Sequence, residues 1–252
     1  VPTRQVFGYV NLPSQRTDVE RDVATARREI ATYAESEGYD LAGVFTDIDD
    51  TLTTGSRLEA CAYGALERLR AAGFLVIPVT GRPAGWCDHI ARMWPVDGVV
   101  GENGAFWFRY DHAARVMRRQ FVKDEKTRRS DAERLRSIGM EVLASVPGAR
   151  ISADQLYREA DLAIDFCEDV PRLPAEAVAR IVATMEGHGL TVKVSSIHVN
   201  GWFGSYDKLT TARLLLKQEF GDDDAGVAHR YGYVGDSPND EPMFGFFECA
   251  VG

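Results

Sequence analysis

The stretch VFTDIDDTLT, residues 44–53, sets Asp47, Asp49 and Asp50 within four positions at the end of an apolar run. Like charges this close raise one another's pKa and disfavour ionisation. Two readings account for the crowding. Aspartate favours turns, so the cluster can be a solvated strand end. Alternatively a divalent cation offsets the repulsion, because a bound cation inverts the local pKa logic. That second reading requires further metal- and phosphate-facing residues elsewhere in the chain.

Such residues are present. YVGDSPND places Asp236 and Asp240 after another apolar run, and VIPVTGRP ends a third on Thr80 and Gly81. In an open parallel sheet the carboxyl ends of the strands share one edge, where ligands bind. Asp47 and Asp49 would meet Asp236 there, and an oxygen-only donor set of this kind suits Mg²⁺. The Thr80 hydroxyl and the backbone N–H groups of the Gly81 turn suit an anion. Lys208, opening DKLTTARLLL, can supply positive charge. Singly, a Thr-Gly turn and a lysine at a helix start are commonplace. Their order, each at an element boundary, argues for one site.

The elements that would position these residues alternate between strand-like apolar runs and helical patterns, which predicts an α/β fold with a mainly parallel sheet. LAGVFTD, FLVIPVTGRP and RYGYVGDSPND read as buried strands. SRLEACAYGALERLRAAG reads as a helix ending on glycine. VDGVVGENGAFWFRY reads as a strand, an Asn-Gly turn and a second strand. The middle of the chain lacks long apolar runs: DAERLRSIGMEVLASV, ADLAIDFCED, PAEAVARIVATMEGHG and LTVKVSSIHV read as helix, strand, helix and strand. YDKLTTARLLLKQEFG resumes as a helix. The basic residues between Arg115 and Arg136 alternate with acids and read as a solvated helix face.

A length of 252 residues suits one large domain or two modest ones. The formal net charge of -9 argues against a nucleic-acid partner, which demands a basic face, but not against a small anion. Cys61, Cys87, Cys167 and Cys249 show no metal spacing, and free thiols in a reducing cytoplasm are expected. No run is long enough for a membrane span, and no secretory pattern opens the chain. It begins at Val1 without a methionine and stops at FFECAVG, as a trimmed piece of a longer chain would.

Asp47-Ile-Asp49-Asp50-Thr51, then Thr80-Gly81-Arg82, then Lys208, then Gly235-Asp236-Ser-Pro-Asn239-Asp240 resembles the four ordered motifs of the haloacid dehalogenase-like (HAD) superfamily, over about residues 41–252. The resemblance implies Asp47 as nucleophile, forming an aspartyl-phosphate. It implies Asp49 as the acid that protonates the leaving oxygen and later the base that activates water. Mg²⁺ would be held by Asp47, the backbone carbonyl of Asp49 and Asp236, with Asp240 supporting the shell. Thr80 and Lys208 would grip the phosphoryl oxygens, with Gly81, Arg82 and Asn239 of the same motifs facing the substrate. Asp50 stands where glycine is commoner, and Leu209 replaces a glycine that usually follows the motif lysine.

Only 26 residues separate Thr53 from Thr80, whereas 127 separate Thr80 from Lys208. The arrangement is similar to the subfamily whose α+β cap follows the second motif, which includes sucrose-phosphate and trehalose-phosphate phosphatases and phosphomannomutase. GENGAFWF also looks like that subfamily's strand before the cap. The expected architecture is a Rossmann-like parallel-sheet core over 41–120 and 198–252, an inserted α+β cap over 121–197 and an N-terminal βα appendage over 1–40. That N-terminal segment weakly resembles the opening of serine recombinases, but Asn11 and Pro13 stand where their catalytic Arg and Ser would fall, so a structural appendage is expected. The expected activity is Mg²⁺-dependent hydrolysis of a small phosphorylated sugar or related metabolite. Arg158 and Lys193 of the cap are the residues expected to choose the substrate. A homodimer is compatible with the sequence. A sugar phosphomutase and a non-catalytic binding module of the same fold are the alternatives.

Overall fold

A computed structural model describes residues 41–222 and 226–252. The appendage expected over residues 1–40 lies outside the described residues. In chain order the elements are β1 (Gly43–Thr46), β2 (Thr53–Thr54), β3 (Arg57–Leu58), α1 (Ala60–Ala71), β4 (Leu75–Pro78), α2 (Ala84–Met93), β5 (Val99–Gly101), β6 (Phe106–Asp111) and β7 (Val116–Phe121). They continue with α3 (Glu125–Ser145), β8 (Arg150–Ile151), β9 (Leu162–Asp165), α4 (Ala175–Gly187), β10 (Thr191–Val194) and β11 (His198–Trp202). The last are α5 (Lys208–Leu215), α6 (Val227–Arg230), β12 (Tyr231–Val234), α7 (Glu241–Phe246) and β13 (Cys249–Val251).

The α/β expectation is met by a parallel sheet in the order β13-β12-β1-β4, extended by a parallel bridge between Val79 and Val100 at β5. Its strands are apolar on both faces because helices cover both. Val76 packs with Leu66 of α1 and Cys87 and Ile90 of α2. Its neighbour Ile77 points the other way, to Phe45, Leu215 of α5 and Met243 of α7. Asp47, Thr80 and Asp236 follow β1, β4 and β12 at the carboxyl edge of this sheet. From β5 the chain turns back through the antiparallel ladder β5-β6-β7.

A second, antiparallel sheet has the order β10-β11-β9-β8. One face is apolar: Leu162, Ile164 and Val199 pack on Leu135, Ile138 and Val142 of α3 and on Ile181 and Met185 of α4. The other face carries His198, Asn200 and, directly across from Asn200, Lys193. Strand alternation therefore gives this layer an apolar back and a polar front.

Two corrections to the expected elements follow. LTVKVSSIHV is two strands, because the Ser195 hydroxyl accepts the N–H of His198 at 3.0 Å and turns the chain. The second of them, β11, pairs with β9 and β10, so the boundary expected at 197/198 falls inside the second sheet. The helix expected from Ser56 instead begins at Ala60. Gly55 and Ser56 have φ of 54° and 62°, the two left-handed positions of a tight hairpin between β2 and β3. Among the described residues no helix is long and apolar enough to cross a membrane.

Candidate functional site

Asp47 leaves β1 almost wholly buried, and its Oδ1 accepts the N–H of Ile48 at 2.8 Å. Lys208 is the first residue of α5, fixed there by a capping box. Asp207 Oδ1 accepts the N–H of Thr210 at 2.7 Å, and the Asp207 N–H donates to Thr210 Oγ1 at 3.1 Å. From that position its Nζ lies 3.1 Å from Asp47 Oδ2 and 2.7 Å from Asp240 Oδ1. Burial works against the Lys208 ammonium, but Asp47 and Asp240 outweigh it, and its pKa stands above the ordinary lysine value. Burial pushes the Asp47 carboxyl up to about 7, with Lys208 opposing and Asp240 adding.

Gly104 lets these parts meet. At φ of 105° it places its backbone where a Cβ would lie 2.0 Å from the Asp207 carbonyl oxygen, and its own carbonyl accepts from Thr211 Oγ1 at 2.6 Å. The GENG turn after β5 and the start of α5 are thus in contact that only glycine permits.

One carboxylate oxygen from each of Asp47, Asp236 and Asp240 falls within 4.8 Å of the others. Asp240 Oδ2 also accepts the N–H groups of Asp236 and Ser237, at 3.3 and 3.1 Å, so Asp240 shapes the loop that carries Asp236. Asp236 is exposed, and Thr51 Oγ1 donates to it at 3.1 Å. Three converging acids facing one lysine leave an excess of negative charge. This all-oxygen set fits a hard divalent cation such as Mg²⁺. The side chain of Asp49 is not in the cluster.

Asp49 is instead gripped by Arg82. Arg82 Nε donates to both carboxylate oxygens at 3.0 Å, and Nη2 donates to Oδ1 at 2.7 Å. The same guanidinium reaches the second sheet's layer, with Nη2 3.0 Å from Glu168 Oε1 and Nη1 3.7 Å from Asp154 Oδ2, and stacks over Trp86. Thr80 is fully buried, and its Oγ1 accepts the Arg82 N–H at 3.0 Å. The structure therefore brings Asp47, Asp49, Thr80, Gly81, Arg82, Lys208, Asp236, Asn239 and Asp240 to one edge. Asp47, Asp49, Gly81, Arg82 and Asn239 face Ser195, His198 and Asn200 across a space of only about 20 Å³.

Arg158 reaches the site already held by acids. Its side chain is 1 % exposed, and its guanidinium is committed to Asp154 (2.9 and 3.0 Å), Asp161 (2.9 Å) and the Gly81 carbonyl (2.9 Å). It braces the Thr80-Gly81 turn against the second sheet and lines the same small space beside Asp47 and Asp49. Lys193 is half-buried on the polar face and lines a separate cavity with Asn239 and Lys208.

Several participants are not among the residues expected at the site. Glu102, fully buried with φ of 44°, accepts N–H groups from Ala84 on the core side (2.9 Å) and from Glu159 (2.9 Å) and Ala160 (2.7 Å) on the other. Burial pushes its pKa up to about 8, with Asp161 adding to the rise. Glu168 pairs with His198 Nε2 at 2.8 Å, and that bond, with Arg82, holds its carboxyl down at about 2. A single Glu or His inside an apolar pattern gives no signal of its partners. The one available hint was GENG, whose glycines invite an unusual backbone.

Residues 44–130 match the model of the haloacid dehalogenase-like hydrolase family. Among similar solved structures is a Thermoplasma acidophilum protein, 19% identical, with a TM-score of 0.61 over 81% of this chain and 80% of that one. A Bacteroides thetaiotaomicron phosphatase of the haloalkanoate (HAD) superfamily is 18% identical, with a TM-score of 0.52 over 84% of this chain and 83% of that one. The sucrose-phosphatase of Synechocystis, solved with sucrose and phosphate, is 16% identical, with a TM-score of 0.55 over 84% and 81%. No curated protein matches the chain in sequence. The described residues have the haloacid dehalogenase-like fold, and the family model spans the first two of the four motifs, at Asp47–Thr51 and Thr80–Arg82.

Proposed function

We propose that the protein is a Mg²⁺-dependent phosphomonoesterase that hydrolyses a small phosphorylated sugar or related metabolite through an aspartyl-phosphate on Asp47. The observation that carries this reading is the convergence of Asp47, Lys208, Asp236 and Asp240 at the carboxyl edge of the parallel sheet. Mg²⁺, held by Asp47, Asp236 and the Asp49 carbonyl, would supply charge compensation for the phosphoryl oxygens and for the crowded acids.

Asp47 attacks phosphorus as a carboxylate. The bond from phosphorus to the leaving oxygen breaks, and Asp49 delivers its proton to that oxygen. Water then attacks the aspartyl-phosphate, Asp49 takes the water's proton, and Asp47 is released with inorganic phosphate. Lys208 and Thr80 oppose the charge that spreads over the phosphoryl oxygens. The 20 Å³ space beside Asp47 holds about one water, so the second sheet, acting as a cap, must lift to admit the ester and close over it. Four unpaired cysteines fit the reducing cytoplasm expected for such an enzyme.

The test is release of phosphate from a panel of sugar phosphates with Mg²⁺, with EDTA, and with Asp47→Asn. EDTA and the substitution are each expected to reduce turnover to background while the fold is kept. Turnover near the wild-type level in Asp47→Asn overturns the reading. An isomeric sugar phosphate in place of free phosphate would assign a mutase.

A further inference from the structure

Beside the catalytic edge lies a cavity of about 300 Å³, walled by Lys193 and Trp202 of the second sheet, Tyr206, and Asn103, Lys208 and Asn239 of the core. That volume is at the lower end of small-molecule sites, which run to roughly 300–1,000 Å³. Three residues of this wall each carry a buried polar atom with no hydrogen-bond partner among the described residues: Asn103 Nδ2, Asn239 Oδ1 and Tyr206 Oη. Asn103 is 3 % exposed, and Asn239 and Tyr206 are each 8 % exposed. Buried polar groups are nearly always paired, and leaving them unpaired is costly. Here one donor, one acceptor and one hydroxyl are left over together, a set that hydroxyl groups satisfy in either direction.

The charge of the wall is equally specific. Arg82, Arg158 and Lys208 are each bound to carboxylates. Lys193 has no carboxylate within ion-pair distance among the described residues, and it stands on the core-facing side across from Asn200. The acid of this wall, Asp207, is occupied in capping α5. The cavity adjoins the catalytic space, since Asn239 lines both and Lys208 Nζ lies 3.1 Å from Asp47.

Resting on the phosphatase reading above, we propose that this cavity binds the leaving-group end of the substrate, and that this end is a polyol bearing a carboxylate. The hydroxyls pair with Asn103, Asn239 and Tyr206, and the carboxylate pairs with Lys193. The stacked rings of Trp202 and Tyr206, 5.8 Å apart, form the apolar wall.

The test compares 6-phosphogluconate with glucose 6-phosphate, two six-carbon phosphomonoesters of which only the first carries a carboxylate. The wild type is expected to favour 6-phosphogluconate in kcat/KM. Lys193→Met should cut that preference by about tenfold, the order of one charge-assisted hydrogen bond. Tyr206→Phe should weaken both esters together. An unchanged preference in Lys193→Met, or a wild type that favours glucose 6-phosphate, overturns the proposal. Gluconate alone, titrated while the Trp202 indole N–H resonance is followed, separates the two readings. A shift seen in the wild type and lost in Lys193→Met, with neither ester hydrolysed, keeps the cavity and removes the phosphatase. Hydrolysis with no shift and no change in preference keeps the phosphatase and removes the cavity.

Discussion

Arg82 holds the carboxylate of Asp49 by both oxygens while its Nη2 also reaches Glu168 across the cleft. One guanidinium thus joins the proposed acid–base group to the second sheet. Arg82 thereby fixes where Asp49 stands, and through Glu168 it ties that position to the second sheet's layer. Lysine keeps the charge but lacks the planar fork. Arg82→Lys is therefore expected to lower kcat on a small aryl phosphate by about 10–100-fold, as loss of a positioned charge-assisted contact would. Phosphate affinity, measured as product inhibition, should change less. Equal losses in both would mean that Arg82 grips the phosphoryl group itself.

Glu102 fastens the start of α2 to the segment 159–161, accepting backbone N–H groups from both. Glu102→Ala leaves those donors buried and unpaired, at an expected cost of about 2–4 kcal/mol. For a chain of this size that corresponds to a fall in Tm of roughly 4–16 °C. Glu102→Gln, which presents one carbonyl oxygen but also an NH₂, should fall between. Hydrogen exchange at Ala84 and Ala160 should rise together in both variants. A rise on one side alone would show that the two segments are not tied through this carboxylate.

The core of this arrangement was legible because its chemistry is written at strand ends. Asp47, Thr80 and Asp236 follow apolar runs that only a sheet covered on both faces explains, and a parallel sheet gathers their ends. The parts that sequence pattern left open depend on contacts between distant segments. Arg158 has the local look of a surface cation, yet it is buried by Asp161 near it and by Gly81, which is 77 positions away. The strand at 198–202, HVNGW, has no alternation that names its sheet, and its pairing with β9 and β10 decided the matter. Glu168 and His198 are ordinary residues until the fold sets them 2.8 Å apart beside Arg82.

That pair has a pH signature. Hydrogen bonding to His198, and then Arg82, lowers the Glu168 pKa to about 2 from an ordinary 4.5. A carboxyl lowered on folding contributes stability that is full above the ordinary value and is lost as pH falls through 4.5 towards 2. The side chain is 22 % exposed, so solvent screening reduces the effect to about 1–2 kcal/mol. Glu168→Gln is expected to melt below the wild type by that amount at pH 6, with the gap narrowing below pH ~4.5. A gap that stays constant down to pH ~3 would assign the loss to packing instead of charge.

Gly104 gives the sharpest geometric prediction. Its φ of 105° suits glycine, and an added Cβ would lie 2.0 Å from the Asp207 oxygen and 2.9 Å from the Lys208 nitrogen. Both atoms are backbone, so relief requires moving the first turn of α5 and, with it, the Lys208 ammonium that faces Asp47. Gly104→Ala is expected to lose about 2–4 kcal/mol of stability, from strain added to overpacking. It should also lower kcat by at least about tenfold at temperatures where the fold is intact, because a shift of about 1 Å in a charged group at the reacting centre costs that much or more. Gly187, at the end of α4, serves as the control: a Cβ there meets nothing within 4 Å, so Gly187→Ala should be neutral or slightly stabilising. If Gly104→Ala keeps wild-type kcat after correction for the folded fraction, the contact between the GENG turn and α5 does not set the position of Lys208.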